Sequence, residues 1–292
     1  MNLPVVYLFK IKPWQPRYSG MGIVWFIALT IGIACNEKQT SHEIAKGNYK
    51  RVQEIPVPNG FVRTKADTNS FTYYLRNLEL KPDNKVLLYN GKEKENQSAQ
   101  YAVIKMDVGT RDLQQCADAV MRLRAEYLYA QNDYEKIHFN FTNGERADYI
   151  NYAEGQRAVL INNEVKWAKT AKKDYSYTTF RRYLDMVFTY AGTISLNGEL
   201  WKIDADEIQP GDVFIQTGYP YGHAVTVVDV ATNPQTGQKA FMLAQSFMPA
   251  QEIHILKNPD KANDPWYYNN FGYELRTPEW TFKNIDLKRF PN

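Results

Sequence analysis

The sequence predicts an α+β fold in which N-terminal helices pack on an antiparallel β-sheet. Two observations support this prediction. Apolar residues follow a helical spacing in the middle of the chain, and segments with strand periodicity dominate the last third. Helices followed by a run of strands are typical of α+β proteins. A third observation, 44% hydrophobic residues in a chain of 292, indicates that the chain buries a sizeable core.

The first elements are one strand and two helices. Residues 102–108 alternate between apolar and polar side chains, which is typical of a strand. Residues 111–130 are rich in good helix formers and residues 178–191 carry an apolar stripe, so both segments are expected to form amphipathic helices. Gly192 follows the second segment, and glycine commonly ends helices.

Four strands are expected after the helices, at residues 211–216, 223–231, 239–247 and 252–256. The segment from Thr232 to Gly237 is rich in turn-forming residues, so the second and third strands should form an antiparallel hairpin. Residues 51–292 contain no low-complexity segment, charge block or repeat. We therefore expect a single α+β domain over this range.

The charge distribution excludes nucleic acid as a partner. Lys10, Lys12 and Arg17 account for the whole net charge of +3. Nucleic-acid binding needs a basic surface that releases counterions from phosphates, and the remainder of the chain is neutral. Neither a metal nor a cofactor is expected, because the four histidines are scattered and no metal-binding or phosphate-binding motif occurs.

Residues 1–34 have the composition of a secretory signal peptide. The uncharged segment 23–34 follows three basic residues and is too short for a membrane span, which needs about 20 residues. A buried N-terminal helix is the alternative, and it would have to find partners for Trp25 and Phe26. Residues 35–50 are mostly polar and are expected to form a tether.

The end of the predicted signal peptide, Gly32-Ile33-Ala34-Cys35, resembles the lipobox of bacterial lipoproteins. The resemblance implies that Cys35 is acylated and anchors the protein to a membrane of the cell envelope, on the periplasmic face or the cell surface. Cleavage without lipidation is the alternative, because Leu usually stands where Gly32 is and a small residue where Ile33 is. If Cys35 carries lipid, Cys116 is the only free thiol of the domain.

A second resemblance covers residues 113–251. Gln115-Cys116 in the first predicted helix and Gly222-His223 at the start of a strand resemble the papain-like bacterial cysteine amidases of the CHAP and NlpC types. This resemblance implies a papain-like fold with Cys116 as the nucleophile and His223 as its base. It also implies that a polar residue on the adjacent strand orients the histidine.

The body of the chain also resembles a domain-of-unknown-function family of bacterial lipoproteins. The resemblance rests on the segments DLQQCADAVMRLRAEYLY, FNFTNG and AQSFMPAQEIHIL. It carries no established activity.

The chemistry of these residue types favours the same site. A thiol is a strong nucleophile at neutral pH once a helix N-terminus or an imidazolium lowers its pKa of about 8.5. If Ala231 pairs with Gly237 in the hairpin, His223 falls opposite Gln245, whose amide can hold the second imidazole nitrogen. A register slip of one residue would place Ser246 there instead.

Cys116 also has a purely structural interpretation. A helix that begins at Thr110 or Arg111 places Cys116 in its second turn, where the helix dipole has little effect. Cys116 shares the apolar stripe with Leu113 and Val120. Free cysteines are among the most frequently buried residues, so this position is equally typical of a core side chain.

Two functions follow from these alternatives. The first is a membrane-anchored cysteine amidohydrolase or peptidase that acts on cell-wall peptides. Its candidate catalytic residues are Cys116 as nucleophile, His223 as base, Gln245 as orienting residue and Gln115 as oxyanion donor.

The second function is a non-catalytic cell-envelope protein with the same fold that binds peptidoglycan or polysaccharide. Aromatic residues beside His223 would form the binding rim. The candidate binding residues are Tyr219, Tyr221 and Ser246.

Overall fold

The computed structural model describes residues 47–161 and 164–291. The predicted signal peptide, the predicted lipidation site Cys35 and the predicted tether up to residue 46 lie outside these residues. Among the residues it describes, no helix is long and apolar enough to cross a membrane.

The described chain is a mixed α/β structure with a large antiparallel sheet and few helices. The helices are α1 (Phe71–Arg76), α2 (Cys116–Ala130), α3 (Tyr149–Ala153), α4 (Tyr177–Tyr190) and α5 (Thr193–Glu199). The strands are β1 (Val62–Arg63), β2 (Gln100–Val103), β3 (His138–Asn140), β4 (Arg146–Asp148), β5 (Gln156–Ile161), β6 (Glu164–Lys169), β7 (Trp201–Lys202), β8 (Val213–Gln216), β9 (His223–Thr232), β10 (Lys239–Gln245), β11 (His254–Leu256), β12 (Trp266–Tyr268), β13 (Glu274–Arg276), β14 (Thr281–Lys283) and β15 (Leu287–Arg289).

Nine of these strands form one sheet in the order β2-β11-β10-β9-β8-β15-β7, with β1 paired to β9 and β12 paired to β10. Three hairpins stand apart from it: β3–β4, β5–β6 and β13–β14. Strands β1 and β2 precede α2 and still join the sheet. The order of elements is therefore more mixed than the predicted run of helices followed by strands.

The central strand β9 is buried along almost its whole length. Ala224 belongs to a buried cluster that also contains Ala117 and Val120 of α2. The next residue, Val225, belongs to a different cluster that contains Phe282 of β14. Consecutive strand residues point to opposite faces, so both faces of the strand are covered.

Helix α2 begins at Cys116 rather than at residue 111, which corrects the predicted boundary. The backbone N–H of Gln115 donates to the Asp118 carboxylate over 3.0 Å, and the first helical bond runs from the Ala119 N–H to the Gln115 carbonyl. This side-chain contact fixes the helix start, as in a capping box. Cys116 is therefore the first helical residue and does not lie in the second turn.

The β9–β10 hairpin forms as predicted but in a different register. Ala231 pairs with Ala240 and not with Gly237, which lies in the turn with φ of +73°. The Asn233 side chain accepts hydrogen bonds from two backbone N–H groups of this turn. Such local bonds extend the turn and postpone the strand.

The new register changes the partners of the two residues expected to face each other. His223 pairs with Gln216 on β8, and Gln245 pairs with His254 on β11. A bulge between Met242 and Leu243 shifts the β9–β10 ladder, whose last pair is Thr226 with Ala244. Continuing that register places Gln245 diagonal to His223 on one face, a separation that long side chains still bridge.

Candidate active site

A cavity of about 460 Å³ lies at the N-terminal end of α2. The start of α2, the C-terminal end of α4, the start of α5 and the loop before β9 form its walls. A larger cavity, of about 620 Å³, lies near residues 47–51 and has neither cysteine nor histidine in its lining. Of these two cavities, only the one at α2 is lined by a thiol.

Cys116 lines this cavity and is 7% exposed. Its sulfur lies 3.9 Å from the carbonyl oxygen of Gly222. The backbone N–H groups of Ala117 and Ala224 also interact with the sulfur. The thiol therefore sits against the backbone of the two residues that flank His223.

The resting thiol is protonated at neutral pH. Burial, followed by the nearby Asp118 carboxylate, raises the pKa of Cys116 to about 11. Backbone N–H groups at the helix start act in the opposite direction but do not outweigh burial. Burial also raises the pKa of Asp118 to about 8, which weakens its negative charge at neutral pH.

Gly222 is required where the loop enters β9. A Cβ atom at this position would lie 2.0 Å from the Gln216 carbonyl oxygen and 2.9 Å from the Thr193 hydroxyl. No side chain fits there, and the Gly222 backbone stays open toward Cys116. The Gly-His pair noted in the sequence thus has a steric reason for its glycine.

His223 is almost completely buried, at 1% exposure, in an aromatic environment. Its ring centroid lies 4.7 Å from that of Phe247, 5.2 Å from Trp280 and 5.7 Å from Phe282. Its Nε2 is 2.9 Å from Oε1 of Gln245. Burial lowers the pKa of His223 to about 4, so the ring is neutral at pH 7.

Gln245 connects His223 to a buried ion pair. Its Nε2 donates to Oε2 of Glu279 over 2.7 Å and lies 3.3 Å from Nε2 of His254. Glu279 in turn pairs with Lys94 over 2.5 Å. We call His223, Gln245, His254, Glu279 and Lys94 the buried relay.

The buried relay fixes which nitrogen of His223 carries the proton. The Glu279 carboxylate only accepts hydrogen bonds, so it must face the amide nitrogen of Gln245. The amide oxygen then faces His223, and Nε2 of His223 must be the N–H donor. His254 agrees with this assignment, because its Nδ1 lies 2.9 Å from the Glu252 carbonyl and its Nε2 is left to accept. Nδ1 of His223 is consequently the basic nitrogen.

Nδ1 of His223 is buried and has no hydrogen-bond partner in the described part of the protein. The Cys116 thiol is therefore not hydrogen-bonded to it in this structure. Buried polar atoms are normally paired, and an unpaired one calls for a functional or structural explanation. Here the unpaired atom is an imidazole nitrogen of His223, which packs against Phe282 and is not among the residues that line the Cys116 cavity.

Of the other predicted site residues, some line the Cys116 cavity and others do not. Gln115 lines the cavity, and its side-chain amide donates to Asp112 over 3.0 Å. Tyr221 lines the cavity and is 53% exposed, whereas Tyr219 is fully exposed and is not among the lining residues. Ser246 is buried, with its hydroxyl 2.9 Å from the Gln114 carbonyl, so it fixes the segment before α2 and does not face the cavity.

Sequence reasoning missed Lys94, His254 and Glu279. Lys94 and Glu279 come from distant parts of the chain, and no local pattern marks either of them. His254 alternates with apolar residues on a predicted strand, which is a weak indication of burial. Across residues 47–161 and 164–291 no group of three or more His, Cys, Asp or Glu side chains could hold a metal ion.

Comparison with curated proteins gives no match, and comparison with solved structures gives none either. The lipoprotein and cysteine amidase resemblances stay predictions. One family model matches residues 52–289, a range that includes the cavity and the whole buried relay. The chain therefore belongs to the family described as "Domain of unknown function (4846)".

Proposed function

We propose that the protein is a cysteine amidohydrolase or peptidase with a papain-like arrangement of Cys116, His223 and Gln245. One observation carries the proposal. Cys116 opens α2 on a cavity wall with its sulfur against the residues flanking His223, and Nδ1 of His223 is a buried base without a partner in the described chain. A thiol and an oriented imidazole are the parts that covalent amide hydrolysis requires.

The proposed reaction begins when the Cys116 sulfur attacks the carbonyl carbon of the scissile amide while its proton moves to Nδ1 of His223. The protonated ring then gives this proton to the leaving amine as the C–N bond breaks, which leaves a thioester on Cys116. Water attacks the thioester with His223 again as base. The acid is released and the thiol is restored.

Charge that develops on the carbonyl oxygen needs hydrogen-bond donors. The backbone N–H of Cys116 is at the first position of α2, where a helix offers no internal partner. Gln115 contributes a side-chain amide at the same cavity wall, with one of its two hydrogens directed to Asp112. These two groups are the proposed oxyanion donors.

Thiol activation in this proposal proceeds by general-base catalysis. A preformed thiolate–imidazolium pair is disfavoured, because the pKa of Cys116 is raised to about 11 and that of His223 is lowered to about 4. The proton therefore leaves the sulfur only as the new bond forms. The neutral Nδ1 imposed by the buried relay suits this role.

The proposed setting is the cell envelope, with the domain anchored through a lipid on Cys35. Peptidoglycan stem peptides are the proposed substrates, because they contain amide bonds and belong to that compartment. The resemblance of Gly32-Ile33-Ala34-Cys35 to a lipobox and that of residues 113–251 to bacterial cysteine amidases support this setting.

The direct test is turnover of purified peptidoglycan by the wild type and by Cys116→Ala. We expect the variant to lose at least about 1,000-fold in rate, as when the nucleophile of a catalytic triad is removed. Ala130→Ser is the control, because Ala130 lies exposed at the opposite end of α2 and lines neither the Cys116 cavity nor its neighbour. The control should keep the wild-type rate, as surface substitutions generally do. Equal product release by wild type and Cys116→Ala would remove the proposed mechanism.

A second candidate function is a non-catalytic binding protein for cell-wall peptides or glycans. The observation that favours it is the resting thiol itself, which is buried, protonated and not hydrogen-bonded to Nδ1 of His223. Under this alternative Cys116→Ala binds peptidoglycan as well as the wild type does, and neither protein releases product. A pull-down with insoluble peptidoglycan, run beside the turnover assay, separates the two functions.

A further inference from the structure

A second cavity, of about 350 Å³, adjoins the Cys116 cavity. Leu113 and Phe188 line both cavities, so the two spaces share a wall. The second cavity lies between the segment before α2 and the outer face of α4. A ligand in the first cavity therefore has a neighbouring space that is large enough for an additional group of the same molecule.

Arginines dominate the charged lining of this second cavity. Arg111, Arg181 and Arg182 line it together with two acids, Asp107 and Asp185. Arg111 is already paired with Asp185 over 2.6 Å. By contrast, the charged residues that line the Cys116 cavity are both acidic.

Arg181 is the member of this set whose unpaired nitrogen is buried. Its side chain is 17% exposed, and its buried Nη1 has no hydrogen-bond partner in the described structure. The nearest carboxylate oxygen, Oε1 of Glu126, is 3.9 Å away. That oxygen already accepts from Arg122 over 3.3 Å and from the Tyr177 hydroxyl over 2.7 Å.

The arrangement leaves one partly buried guanidinium in excess. Arg122 and Arg181 share the single carboxylate of Glu126, and a buried cation without its own counterion is costly. Burial and the neighbouring Arg122 lower the pKa of Arg181, which reflects the same unfavourable environment. An anion in the cavity would place a second negative charge beside the Arg181 guanidinium and reduce this cost.

We propose that the second cavity is an anion subsite that binds a carboxylate of the substrate, an inference that rests on the proposed amidohydrolase function. A guanidinium offers a planar pair of N–H donors that matches the two oxygens of a carboxylate. The substrate is then an amide that carries a free carboxylate next to the bond held at Cys116. Arg181 is the specificity residue, and Arg182 supplies additional positive charge.

The site itself is tested by thermal unfolding of the full chain in sodium acetate, sodium phosphate and sodium chloride at equal ionic strength. A ligand that binds only the folded state raises the Tm with its concentration. We expect acetate to raise the Tm of the wild type above that in chloride, and Arg181→Met to lose this response. Arg276→Met is the charge-matched control, because Arg276 is exposed, pairs with Asp260 and lines neither cavity.

Arg181→Lys is a second variant that keeps the charge but lacks the planar donor pair, and its response to acetate should be weaker than that of the wild type. Equal responses in wild type and Arg181→Met would overturn the site. So would an acetate effect no larger than that of chloride. A response to phosphate without one to acetate would overturn the carboxylate assignment.

The substrate assignment is tested with muropeptides that carry free carboxylates and with the same muropeptides after amidation. Amidation and Arg181→Met should each raise KM about tenfold, the equivalent of one charge-assisted hydrogen bond, and together should do little more. Normal turnover with unchanged KM would leave the amidohydrolase standing and overturn the subsite as a substrate site. Absence of turnover with a retained acetate response would instead overturn the amidohydrolase and the substrate assignment, and leave only an anion site.

Discussion

The two halves of the candidate site differ in how they are held. On the helix side, the Cys116 sulfur contacts backbone groups, and the first cause of its raised pKa is burial. On the sheet side, His223 is oriented by a chain of hydrogen bonds that ends in the ion pair of Glu279 with Lys94. The Cys116 thiol is thus left neutral, while the His223 ring is fixed in one tautomer.

This difference indicates at which step of the proposed reaction the Cys116 thiol would be deprotonated. In a preformed ion pair, the thiol is already deprotonated before the substrate binds. With a neutral imidazole as base, the thiol loses its proton only while its sulfur attacks the substrate carbonyl, so the cost of deprotonation is part of the activation barrier. Orientation of the base by surrounding hydrogen bonds lowers the reorganisation required at that moment. The sheet side should therefore be sensitive to changes far from the cavity.

The largest expected effect concerns the acid stability of the sheet side. Burial lowers the pKa of His254 to about 3, whereas an unfolded histidine has a pKa of about 6.5. As the pH falls, the unfolded state takes up a proton first, so stability present above about 6.5 is lost on the way to about 3. His254→Gln offers a donor and an acceptor to the same partners but does not titrate. Between about pH 7.5 and about pH 4.5, the unfolding free energy of the wild type should therefore fall by about 3 kcal/mol more than that of the variant.

The measurement is urea denaturation of both proteins at the two pH values. Asp118, with a pKa raised to about 8, has the opposite sign because its folded form is stabilised on protonation. Its contribution is present in both proteins and cancels in the difference. Identical losses in wild type and His254→Gln would show that His254 is not held neutral.

A smaller effect is expected at Glu279. Glu279→Gln removes the carboxylate that holds the Gln245 amide, so the amide is free to turn over and His223 is no longer restricted to the Nε2–H tautomer. We expect kcat to fall about 10-fold to about 100-fold with little change in KM, as when outer residues of a site are altered. Nitrogen-15 chemical shifts of the His223 ring report the tautomer directly.

The control for Glu279→Gln is the double variant with Lys94→Met, which avoids a buried lysine without its partner. If Nε2 of His223 stays protonated in both variants, Glu279 does not set the tautomer and its role is limited to the ion pair. A shift of the tautomer without a change in kcat would show that the buried relay does not contribute to catalysis.

The smallest effect is expected at the aromatic rim. Tyr221 lines the Cys116 cavity and Tyr219 is fully exposed outside its lining. Tyr221→Ala should raise KM for muropeptides about threefold, the order of one partly exposed contact, while Tyr219→Ala should change neither KM nor Tm beyond error. Equal KM values in the two variants would show that the rim does not contribute to binding.

Local patterns predicted much of the sheet but not its register. The alternation of residues 223–231 and the turn after Thr232 correctly indicated the β9–β10 hairpin. The pairing was wrong because the Asn233 side chain and Gly237 lengthen the turn, and because a bulge follows Met242. His223 and Gln245 meet all the same, because the longer turn shifts the pairing by three residues and the bulge reverses one of them. The net shift of two keeps both side chains on one face.

The start of α2 and the buried relay could not be predicted from the local sequence. Residues 111–115 are acceptable in a helix, yet the Asp118 carboxylate stops α2 from extending through them. Glu279 and Lys94 each look like ordinary surface charges in the sequence. Their burial depends on one another and on Gln245, so only the folded chain identifies them.

The ion pair between Lys94 and Glu279 has a consequence for biosynthesis. It joins a residue from the early part of the domain to one near its C-terminus. A chain that is truncated before Glu279 contains Cys116, His223 and Gln245 but lacks the carboxylate that holds the Gln245 amide in one orientation. In the proposed enzyme, His223 would be restricted to one tautomer only after the segment that carries Glu279 had folded onto Lys94.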